Sequence, residues 1–599
     1  MATYTAPLRD MRFVLYELLP FDRLRELPGF EEIDHAVADS VLEGAATICQ
    51  EVLFPLNRSG DEEGCRLENG VVRTPAGFRE AYRTYVEGGW PTLYCDPAYG
   101  GQGLPKILNT MVEEMICAAN LSFGMYPGLS RGAYTALHAH GSDALKALYL
   151  PKLVSGEWAG TMCLTEPQCG TDLGLLRTRA VPQNDGSYRL TGTKIFISAG
   201  EHDLTDNIIH LVLARLPDAP PGIKGVSLFV VPKFIPDEDG APGARNGVVC
   251  SAIERKMGIK ASSTCVLNFD GATGWLVGEP HKGMRAMFTM MNEERVSVGV
   301  QGLGLADASY QGAVAYARER LQGRDLRGAR HPDLPADPIL VHPDVRRMLL
   351  TQRALVEGGR ALAAWVSHQQ DIANHASDPA ARAEAEDFVA LMTPIVKAFL
   401  TDMGFEATNL GMQVYGGHGF IREHGMEQYV RDARIAQIYE GTNGIQALDL
   451  VGRKLPAHMG RYLRRFFHPV SAFIEENLDD ERLAEFIPLL AKAFGRLQQA
   501  TAHIARKGLK DPYEAGAAAT DYLRLFGFVA YAYLWARTAR IALDNLASNN
   551  REKGEADFYR AKLDTARFFM QRLLPQTGAQ FAAIMAGGET ISAFQDAAF

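Results

Sequence analysis

A carboxylate in an unusual setting is the first candidate for chemistry in this chain. The stretch QIYEGTNGIQ at 437–446 places Glu440 between an aromatic residue and a glycine. Burial beside Ile438 and Tyr439 would disfavour the charged form of the acid and so raise its pKa. Gly441 leaves room for a ligand to approach, and such a carboxylate can act as a general base. Taken alone, an acid here is more often a solvated residue near the start of a helix.

A second acid competes for the same role. In MMNEERVSVG at 290–299, Glu294 lies between Glu293 and Arg295. A cluster of charges on a predicted helix usually forms a solvated face. We therefore expect Glu294 to face solvent and Glu440 to carry any proton transfer.

Two further patterns suggest other chemistries. GLSRG at 128–132 matches G-x-S-x-G, the nucleophile elbow of serine hydrolases, with Ser130 at its centre. The elbow requires a preceding strand, and the preceding LSFGMYPG carries glycine and proline, which disfavour a strand. The HAH at 138–140 suggests a metal pair, but residues two apart on a helix point to different sides. We predict a structural role for this pair and no metal site.

The elements that must position these residues follow an α–β–α order. Helix-spaced apolar residues predict helices over 36–157, interrupted by the loop DPAYGGQGLP. Short β-branched and aromatic runs separated by turn residues predict a small β domain over 159–275. The helical period returns from Met284 to about Val451 and again from about 462 to 590. The predicted fold class is α+β multidomain.

We divide the chain into five segments. They are an N-terminal extension (1–35), an N-terminal helical domain (36–157), a middle β domain (158–280), a C-terminal helical domain with the candidate base (281–455) and an extra C-terminal helical domain (462–599). The extra domain carries more apolar helix face than a free tail could hide, so we expect it to pack on the body or on a second copy.

Composition excludes several classes of protein. With 599 residues, 47% of them hydrophobic, the chain can bury large cores in several domains. A net charge of −10 argues against nucleic acid or an anionic membrane as a partner. The eight cysteines form no CxxC pair, which indicates reduced thiols and a cytoplasmic location. The longest apolar run, LFGFVAYAYLWA at 525–536, is too short to span a bilayer.

Seven motifs in this order resemble the acyl-CoA dehydrogenase family. They are spread over about 90–450: DPAYGGQGLP, CLTEPQCGTDLG, GTKIFISAG, ERKMGIKASSTCVLNFD, YARERLQG, QVYGGHGF and YEGTNGIQ. The segments outside that range resemble the larger bacterial subgroup, which includes fatty-acyl-CoA and 3-methylmercaptopropionyl-CoA dehydrogenases. The resemblance implies that Glu440 takes the α-proton of an acyl-CoA thioester while FAD accepts the β-hydride, giving the trans-2-enoyl-CoA of fatty-acid β-oxidation.

The resemblance also assigns binding residues. For FAD it implies Leu164, Thr165, Gly170, Thr171, Phe196, Ile197, Ser198, Arg320, Gln413, Gly416, Gly417 and Thr442. For the substrate it implies Ser130, Lys260 and Gly441. In this family Arg320, Gln413, Gly416 and Gly417 would reach the FAD of a neighbouring subunit, which implies at least a dimer. Electron-transfer flavoprotein is the implied electron acceptor.

Several alternatives stay open at this point. Phe196 stands where many family members carry tryptophan, and R-L-Q-G-R replaces the usual R-x-x-F-G after Arg320. A 3-methylmercaptopropionyl-CoA dehydrogenase and an acyl-CoA oxidase fit the same motifs. A serine hydrolase acting through Ser130 and a flavin-free binding protein belong to different classes. Chain-length preference depends on cavity depth, which these motifs do not encode.

Overall fold

The computed structural model describes residues 4–548 and 553–599. The described part of the chain divides into two compact units. The first unit comprises Met1–Glu43, Lys106–Glu114 and Val298–Phe599, and the second comprises Gly44–Pro105 and Met115–Ser297. The five-segment division made from sequence stays a prediction.

The helices and strands follow the predicted α–β–α order. The α-helices are α1 (Leu8–Arg12), α2 (His35–Ile48), α3 (Pro55–Glu63), α4 (Phe78–Glu87), α5 (Lys106–His140), α6 (Asp143–Ser155), α7 (Gly283–Glu319), α8 (Pro343–His375), α9 (Pro379–Val414), α10 (Met426–Arg434), α11 (Asn443–Asp449), α12 (Arg461–Glu476), α13 (Ile487–Gly508), α14 (Pro512–Ala547), α15 (Lys553–Phe568), α16 (Thr577–Ala586) and α17 (Glu589–Ser592). The β-strands are β1 (Arg66–Glu68), β2 (Val71–Arg73), β3 (Trp158–Cys163), β4 (Arg179–Pro182), β5 (Tyr188–Ser198), β6 (Asn207–Arg215), β7 (Val226–Pro232), β8 (Phe234–Pro236), β9 (Pro242–Arg245), β10 (Val248–Ile253) and β11 (Thr264–Val277).

The second unit is built around a seven-stranded sheet. Strand β11 pairs with β10, β5 and β7, and β6 pairs with β3, β4 and β7, so the circuit β11–β5–β4–β6–β7 closes on itself. Strands β6 and β7 are almost wholly buried, as their continuous apolar sequences predict. The β domain and the α+β fold class are therefore confirmed. The small β1–β2 hairpin inside the segment predicted to be helical was not foreseen.

Local sequence sets the ends of several helices in this unit. The Ser142 hydroxyl accepts a hydrogen bond from the backbone N–H of Leu145 at 3.3 Å and so caps the start of α6. Helix α6 ends at Ser155, and Gly156, with φ 77°, is its left-handed C-cap. Helix α5 is interrupted at Asn120, where φ is −162° and ψ is 88°. The Asn120 carbonyl oxygen Oδ1 then accepts from the N–H of Phe123 at 3.0 Å and restarts the helix.

The first unit is helical, and the C-terminal block packs within it. The Phe399 ring of α9 contacts two rings of α14, with centroids 5.1 Å from Phe528 and 5.0 Å from Tyr531. The Tyr531 hydroxyl donates to the carbonyl oxygen of Leu355 in α8 at 3.1 Å. The prediction that this block packs on the body is confirmed.

One helix of this unit is long and apolar enough to cross a membrane by those two criteria alone. It is α9 (Pro379–Val414), not the run at 525–536 that stood out in the sequence, and most of its apolar window is buried inside the structure. Core helices of globular proteins meet the same criteria. We therefore interpret α9 as the centre of the helical core.

Buried charges tie both ends of the chain to the first unit. The Arg360 guanidinium on α8 pairs with Asp10 of α1 and with Glu114 of α5, the latter at 2.5 Å. The Lys562 ammonium on α15 pairs with Asp10 and, at 2.8 Å, with Glu357. Neither cation is more than 2% exposed. These contacts are long-range in sequence, and no local pattern predicts them.

Candidate active site

Glu440 lies in a turn that comes directly before α11. Its φ is 58°, in the left-handed region that residues other than glycine rarely adopt, and Gly441 follows at φ 81°. The Gln446 side-chain amide donates to the carbonyl oxygens of Glu440 at 3.2 Å and of Gly441 at 3.1 Å. The Glu440 side chain is half-buried. Backbone strain of this kind persists where surrounding contacts enforce it, and it concentrates at functional sites.

Asn443, the first residue of α11, fixes the same turn against α9. The Lys397 ammonium donates to Asn443 Oδ1 at 2.8 Å, and Asn443 Nδ2 donates to Asp402 Oδ1 at 2.6 Å. Gln437, on the other side of Glu440, donates to the same Asp402 oxygen at 2.7 Å. The Asp402 carboxylate therefore accepts hydrogen bonds from residues on both sides of Glu440 and holds the two ends of the turn together. None of these residues was predicted to contribute to the site, although Asn443 lies inside the YEGTNGIQ motif.

Thr442, predicted to bind the cofactor, is the residue before α11. Its carbonyl oxygen accepts from the N–H of Ile445 at 2.8 Å and of Gln446 at 3.0 Å. Its side chain is half-buried, and no side chain caps this short helix. The hydroxyl therefore lies at the end of the turn that carries Glu440.

The residues predicted to contact the FAD of a neighbouring subunit lie near the end of α7 in the first unit. The Tyr316 ring stacks on Tyr415 with centroids 4.0 Å apart, and its hydroxyl lies 2.8 Å from His418 Nδ1. Arg320 is one turn beyond Tyr316 and is exposed, as is Gln413. Gly416 has φ 58°, and a Cβ built on Gly416 or Gly417 would meet no atom within 4 Å. The exposed Gly416–Gly417 pair thus leaves space for a ligand to approach its backbone.

In the second unit, Leu164 and Thr165 are held in place by β5. The Lys194 ammonium donates to the carbonyl oxygen of Leu164 at 2.9 Å and to Glu166 Oε1 at 2.8 Å. The Ile195 N–H donates to the carbonyl oxygen of Thr165 at 2.9 Å. The segment that begins the predicted flavin loop is therefore anchored to the strand that carries the other predicted flavin contacts.

Glu166 is the centre of this anchor. Its carboxylate also accepts from the backbone N–H of Arg177 at 2.7 Å and from the Thr178 hydroxyl at 2.6 Å. Burial by itself would raise the pKa of Glu166, but Lys194 and these donors outweigh it and lower the pKa to about 2. Gly170 and Thr171, farther along the loop, are exposed, and a Cβ on Gly170 would meet only a Thr165 methyl at 3.9 Å.

Phe196, Ile197 and Ser198 close β5. Phe196 has φ 59°, and the residue is 60% exposed, which is unusual for so large an apolar side chain. Ile197 and Ser198 pair with Cys265 and Thr264 of β11, and the Ile197 side chain lies in the core of the sheet. Ile197 can therefore offer only its backbone to a ligand, whereas Phe196 offers its ring.

The two side chains predicted to bind substrate have partners within the second unit. Ser130 lies inside α5, where its hydroxyl donates to the carbonyl oxygen of Tyr126 at 3.1 Å and accepts from the N–H of Gly160 at 3.0 Å. The strand–turn–helix setting of a nucleophile elbow does not surround it. The Lys260 ammonium lies 3.8 Å from the buried carboxylate of Asp61.

The expectation that Glu294 faces solvent is wrong. Glu294 is only 5% exposed, and a Cβ built on Gly132 of α5 would lie 2.5 Å from its Oε1 atom. Helix α7 therefore packs its Glu294 face against the last glycine of GLSRG. Adjacent charges in a sequence point to different sides of a helix, so the cluster was a poor guide to exposure.

The paired histidines have separate partners. His138 Nε2 lies 3.1 Å from Asp96 Oδ2, and His140 Nε2 lies 2.7 Å from Thr289 Oγ1. Across residues 4–548 and 553–599, no group of three or more His, Cys, Asp or Glu side chains could hold a metal ion.

Comparison with known proteins identifies the family to which the chain belongs. Four family models match in order: "Acyl-CoA dehydrogenase, N-terminal domain" at 39–157, "middle domain" at 161–272, "C-terminal domain" at 281–455 and "Acetyl-CoA dehydrogenase C-terminal like" at 466–595. The chain belongs to the acyl-CoA dehydrogenase family. The resemblance inferred from the seven motifs is thereby confirmed.

Individual relatives extend over nearly the whole chain. A 3-methylmercaptopropionyl-CoA dehydrogenase of Ruegeria pomeroyi is 44% identical, over 98% of this chain and 99% of that protein. The broad-specificity linear acyl-CoA dehydrogenase FadE5 of Mycobacterium tuberculosis is 35% identical, over 96% of each chain. The crystal structure of Caenorhabditis elegans ACDH-11 shares the fold, with a TM-score of 0.76, 20% identity and coverage of 95% and 91%. The protein is an FAD-dependent oxidoreductase that acts on acyl-CoA.

Proposed function

We propose that Glu440 is the general base that removes the α-proton of the acyl-CoA thioester. The observation that carries this proposal is the left-handed backbone of Glu440, whose carbonyl oxygen accepts from the Gln446 side-chain amide. Gln437 before it and Asn443 after it both donate to Asp402 and so hold the turn at its two ends. Such a clamp fixes the backbone that carries the carboxylate before substrate arrives, and a fixed base favours abstraction of a weakly acidic proton. The product of the reaction is the trans-2-enoyl-CoA.

The residues of each unit fit their proposed roles toward FAD. Bound FAD supplies the acceptor for the β-hydride. In the second unit, the Leu164–Thr165 segment, the open Gly170–Thr171 turn and the exposed Phe196 ring would hold it. In the first unit, the open Gly416–Gly417 turn, with Arg320, Gln413 and Thr442, would contribute contacts. Gly441 would leave space for the substrate beside Glu440, and Ser130 and Lys260 would line its path.

The proposed substrate class is a linear acyl-CoA, and a specific observation favours a second candidate. The relative named for 3-methylmercaptopropionyl-CoA is more similar to this chain than the relatives named for butyryl-CoA, which are 34–35% identical. A thioether sulfur is close in size to a methylene, so one acyl channel could accept both. Turnover on butyryl-CoA, octanoyl-CoA and 3-methylmercaptopropionyl-CoA separates the two candidates.

The proposal includes assembly and electron acceptor. The enzyme is a cytoplasmic homo-oligomer, at least a dimer, because the exposed Arg320, Gly416 and Gly417 would serve the FAD of a neighbouring subunit. Electron-transfer flavoprotein is the proposed acceptor. An acyl-CoA oxidase would instead reduce oxygen, so oxygen consumption during turnover is the contrasting measurement.

The decisive experiment compares two substitutions in the FAD-loaded enzyme. Glu440→Gln should keep FAD and acyl-CoA binding but slow acyl-CoA-dependent flavin bleaching on the order of 10²–10⁴-fold, the usual cost of losing a general base. Glu294→Gln, the matched control, should bleach at near the wild-type rate. The assignment is wrong if Glu440→Gln bleaches at the wild-type rate while Glu294→Gln does not.

A further inference from the structure

The first unit carries a large arginine-lined groove that none of the roles above uses. It is a cavity of about 910 Å³ between the end of α7, the α7–α8 loop, the start of α8, and the end of α15 with the residues that follow it. We call it the arginine groove and define it by the residues Arg318, Asp325, Leu326, Arg327, Arg330, His331, Pro338, Leu340, Val341, Pro343, Asp344, Arg346, Arg347, Leu350, Phe568 and Arg572. From its charge, shape and walls we infer that it binds a nucleoside polyphosphate.

The groove holds more positive charge than its own acids neutralise. Arg330 pairs with Asp325 at 2.8 Å and Arg347 pairs with Asp344 at 2.8 Å, which accounts for both acids of the lining. Four guanidinium groups remain, and within the described residues none of them forms an ion pair. They belong to Arg318, Arg327, Arg346 and Arg572. Such an excess is notable in a chain of net charge −10 and suits a ligand with several negative charges.

The loop that presents Arg327 and the paired Arg330 is held in one shape. The buried Asp337 carboxylate accepts from the backbone N–H groups of Asp325 at 3.0 Å, Arg330 at 3.1 Å and His331 at 2.7 Å. Burial would raise the pKa of Asp337, but these donors lower it to about 2, so the carboxylate stays charged at neutral pH. Because the loop is ordered before any ligand arrives, less conformational entropy is lost when the arginines bind.

The start of α8 adds to the positive potential. The helix begins at Pro343, which lines the groove, and no side chain caps its N-terminus. The N-terminus of a long helix carries a partial positive charge, and its free backbone N–H groups favour phosphate. Arg346 and Arg347 lie in the first turns of this helix, so dipole and side-chain charge act at the same place.

The remaining walls fit a base and sugar rather than phosphate alone. Leu340, Val341 and Leu350 give the groove an apolar side, and the Phe568 ring stands one turn before Arg572. Both line the groove, so this ring and this guanidinium can contact the same ligand. The volume is within the range of about 300–1,000 Å³ typical of small-molecule pockets.

The groove is separate from the proposed FAD contacts at the end of α7. Arg318 lines the groove, whereas Arg320 stands one turn beyond Tyr316, which contacts the GGHG turn. Arg318 lies in the last turn of α7, whereas Arg320 follows the end of that helix. Neither Arg320 nor any residue of 413–420 lines the groove.

The test is calorimetric titration of the FAD-loaded, full-length enzyme with ATP, ADP and adenosine. ATP and ADP should bind and adenosine should not, because the arginines recognise the phosphates. Arg346→Ala/Arg572→Ala should weaken ADP binding about tenfold or more, since hydrogen bonds to charged groups are strong. Arg346→Lys/Arg572→Lys keeps the charge, so its affinity for ADP should lie between that of wild type and that of the double alanine variant. Arg506→Ala, an exposed arginine of α13 outside the groove, is the matched control and should bind like wild type.

Free coenzyme A, which also carries a nucleotide diphosphate, distinguishes the source of the ligand. Displacement of ADP by coenzyme A supports a site for the nucleotide end of the coenzyme, and lack of displacement supports a site for free nucleotides. The inference is overturned if neither ATP nor ADP binds, or if ADP binds equally well to the double alanine variant. It is also overturned if that variant changes the mass of the assembly in light scattering without affecting nucleotide binding, since the groove would then be a contact between copies.

Discussion

Lys194 Nζ lies 2.8 Å from Glu166 Oε1 and 2.9 Å from the carbonyl oxygen of Leu164, in a pair whose side chains are 0% and 3% exposed. The two residues are 28 positions apart, one in the loop after β3 and the other on β5. The pair joins the two segments proposed to hold FAD within the second unit. We therefore expect removal of this pair to reduce both the stability of the second unit and its hold on FAD.

Lys194→Met should destabilise the enzyme and loosen FAD. The change leaves the buried Glu166 carboxylate without its cation, and breaking a buried ion pair in this way costs about 3–5 kcal/mol. The carbonyl oxygen of Leu164 also loses its donor. Thermal unfolding and FAD release on dilution are the measurements.

The double variant Lys194→Met/Glu166→Leu is the control for this prediction. It removes both charges, so it should unfold at a higher temperature than Lys194→Met alone. Equal stability of the single variant and wild type would contradict the importance assigned to the pair.

Acid should reduce the stability of the second unit, because Glu166 takes up a proton as the pH falls. Its pKa is lowered from 4.5 to about 2 in the folded protein, so the folded state binds fewer protons than the unfolded chain between these values. The contribution of the carboxylate is complete above about pH 4.5 and is lost as the pH falls through about 2. The stability difference between wild type and Glu166→Gln should therefore shrink over this window. A difference that stays constant from pH 5 to pH 3 would argue against the assignment.

The elements of this fold follow from local sequence, whereas the contacts that build the site mostly do not. Apolar periodicity predicted the helices and the β domain, and the YEGTNGIQ motif predicted Glu440. The predicted exposure of Glu294 was wrong because a charge cluster does not indicate which face of the helix packs against Gly132. The clamp formed by Lys397, Asp402 and Asn443 joins residues some forty positions apart. Such pairs are set by helix packing, which a single sequence does not display.

Lys562→Met should destabilise the first unit. The Lys562 ammonium is 2% exposed and neutralises Asp10 of α1 and Glu357 of α8, which joins both ends of the chain to the helical core. Leaving these acids with less positive charge should cost about 3–5 kcal/mol. Chemical denaturation followed by tryptophan fluorescence measures the loss.

Lys492→Met is the matched control for that change. Lys492 is an exposed lysine of α13, so its replacement should shift stability by no more than about 0.5 kcal/mol. If the two variants unfold at the same denaturant concentration, the buried cluster does not contribute to stability as we describe.

Gly132→Ala should reveal how closely α5 and α7 pack at Glu294. A Cβ at residue 132 would lie 2.5 Å from Glu294 Oε1 and 3.0 Å from the end of Met290, so the carboxylate must move. Overpacking of this kind typically costs about 1–3 kcal/mol. Gly128 is one turn earlier in the same helix, is also buried, and has no atom within 4 Å of its Cβ position. Gly128→Ala should therefore gain up to about 1 kcal/mol, the helix preference of alanine over glycine. Opposite shifts in the melting temperatures of the two variants are expected. If both substitutions stabilise the protein, Glu294 does not press against α5, and the face of α7 that carries it would have to be assigned again.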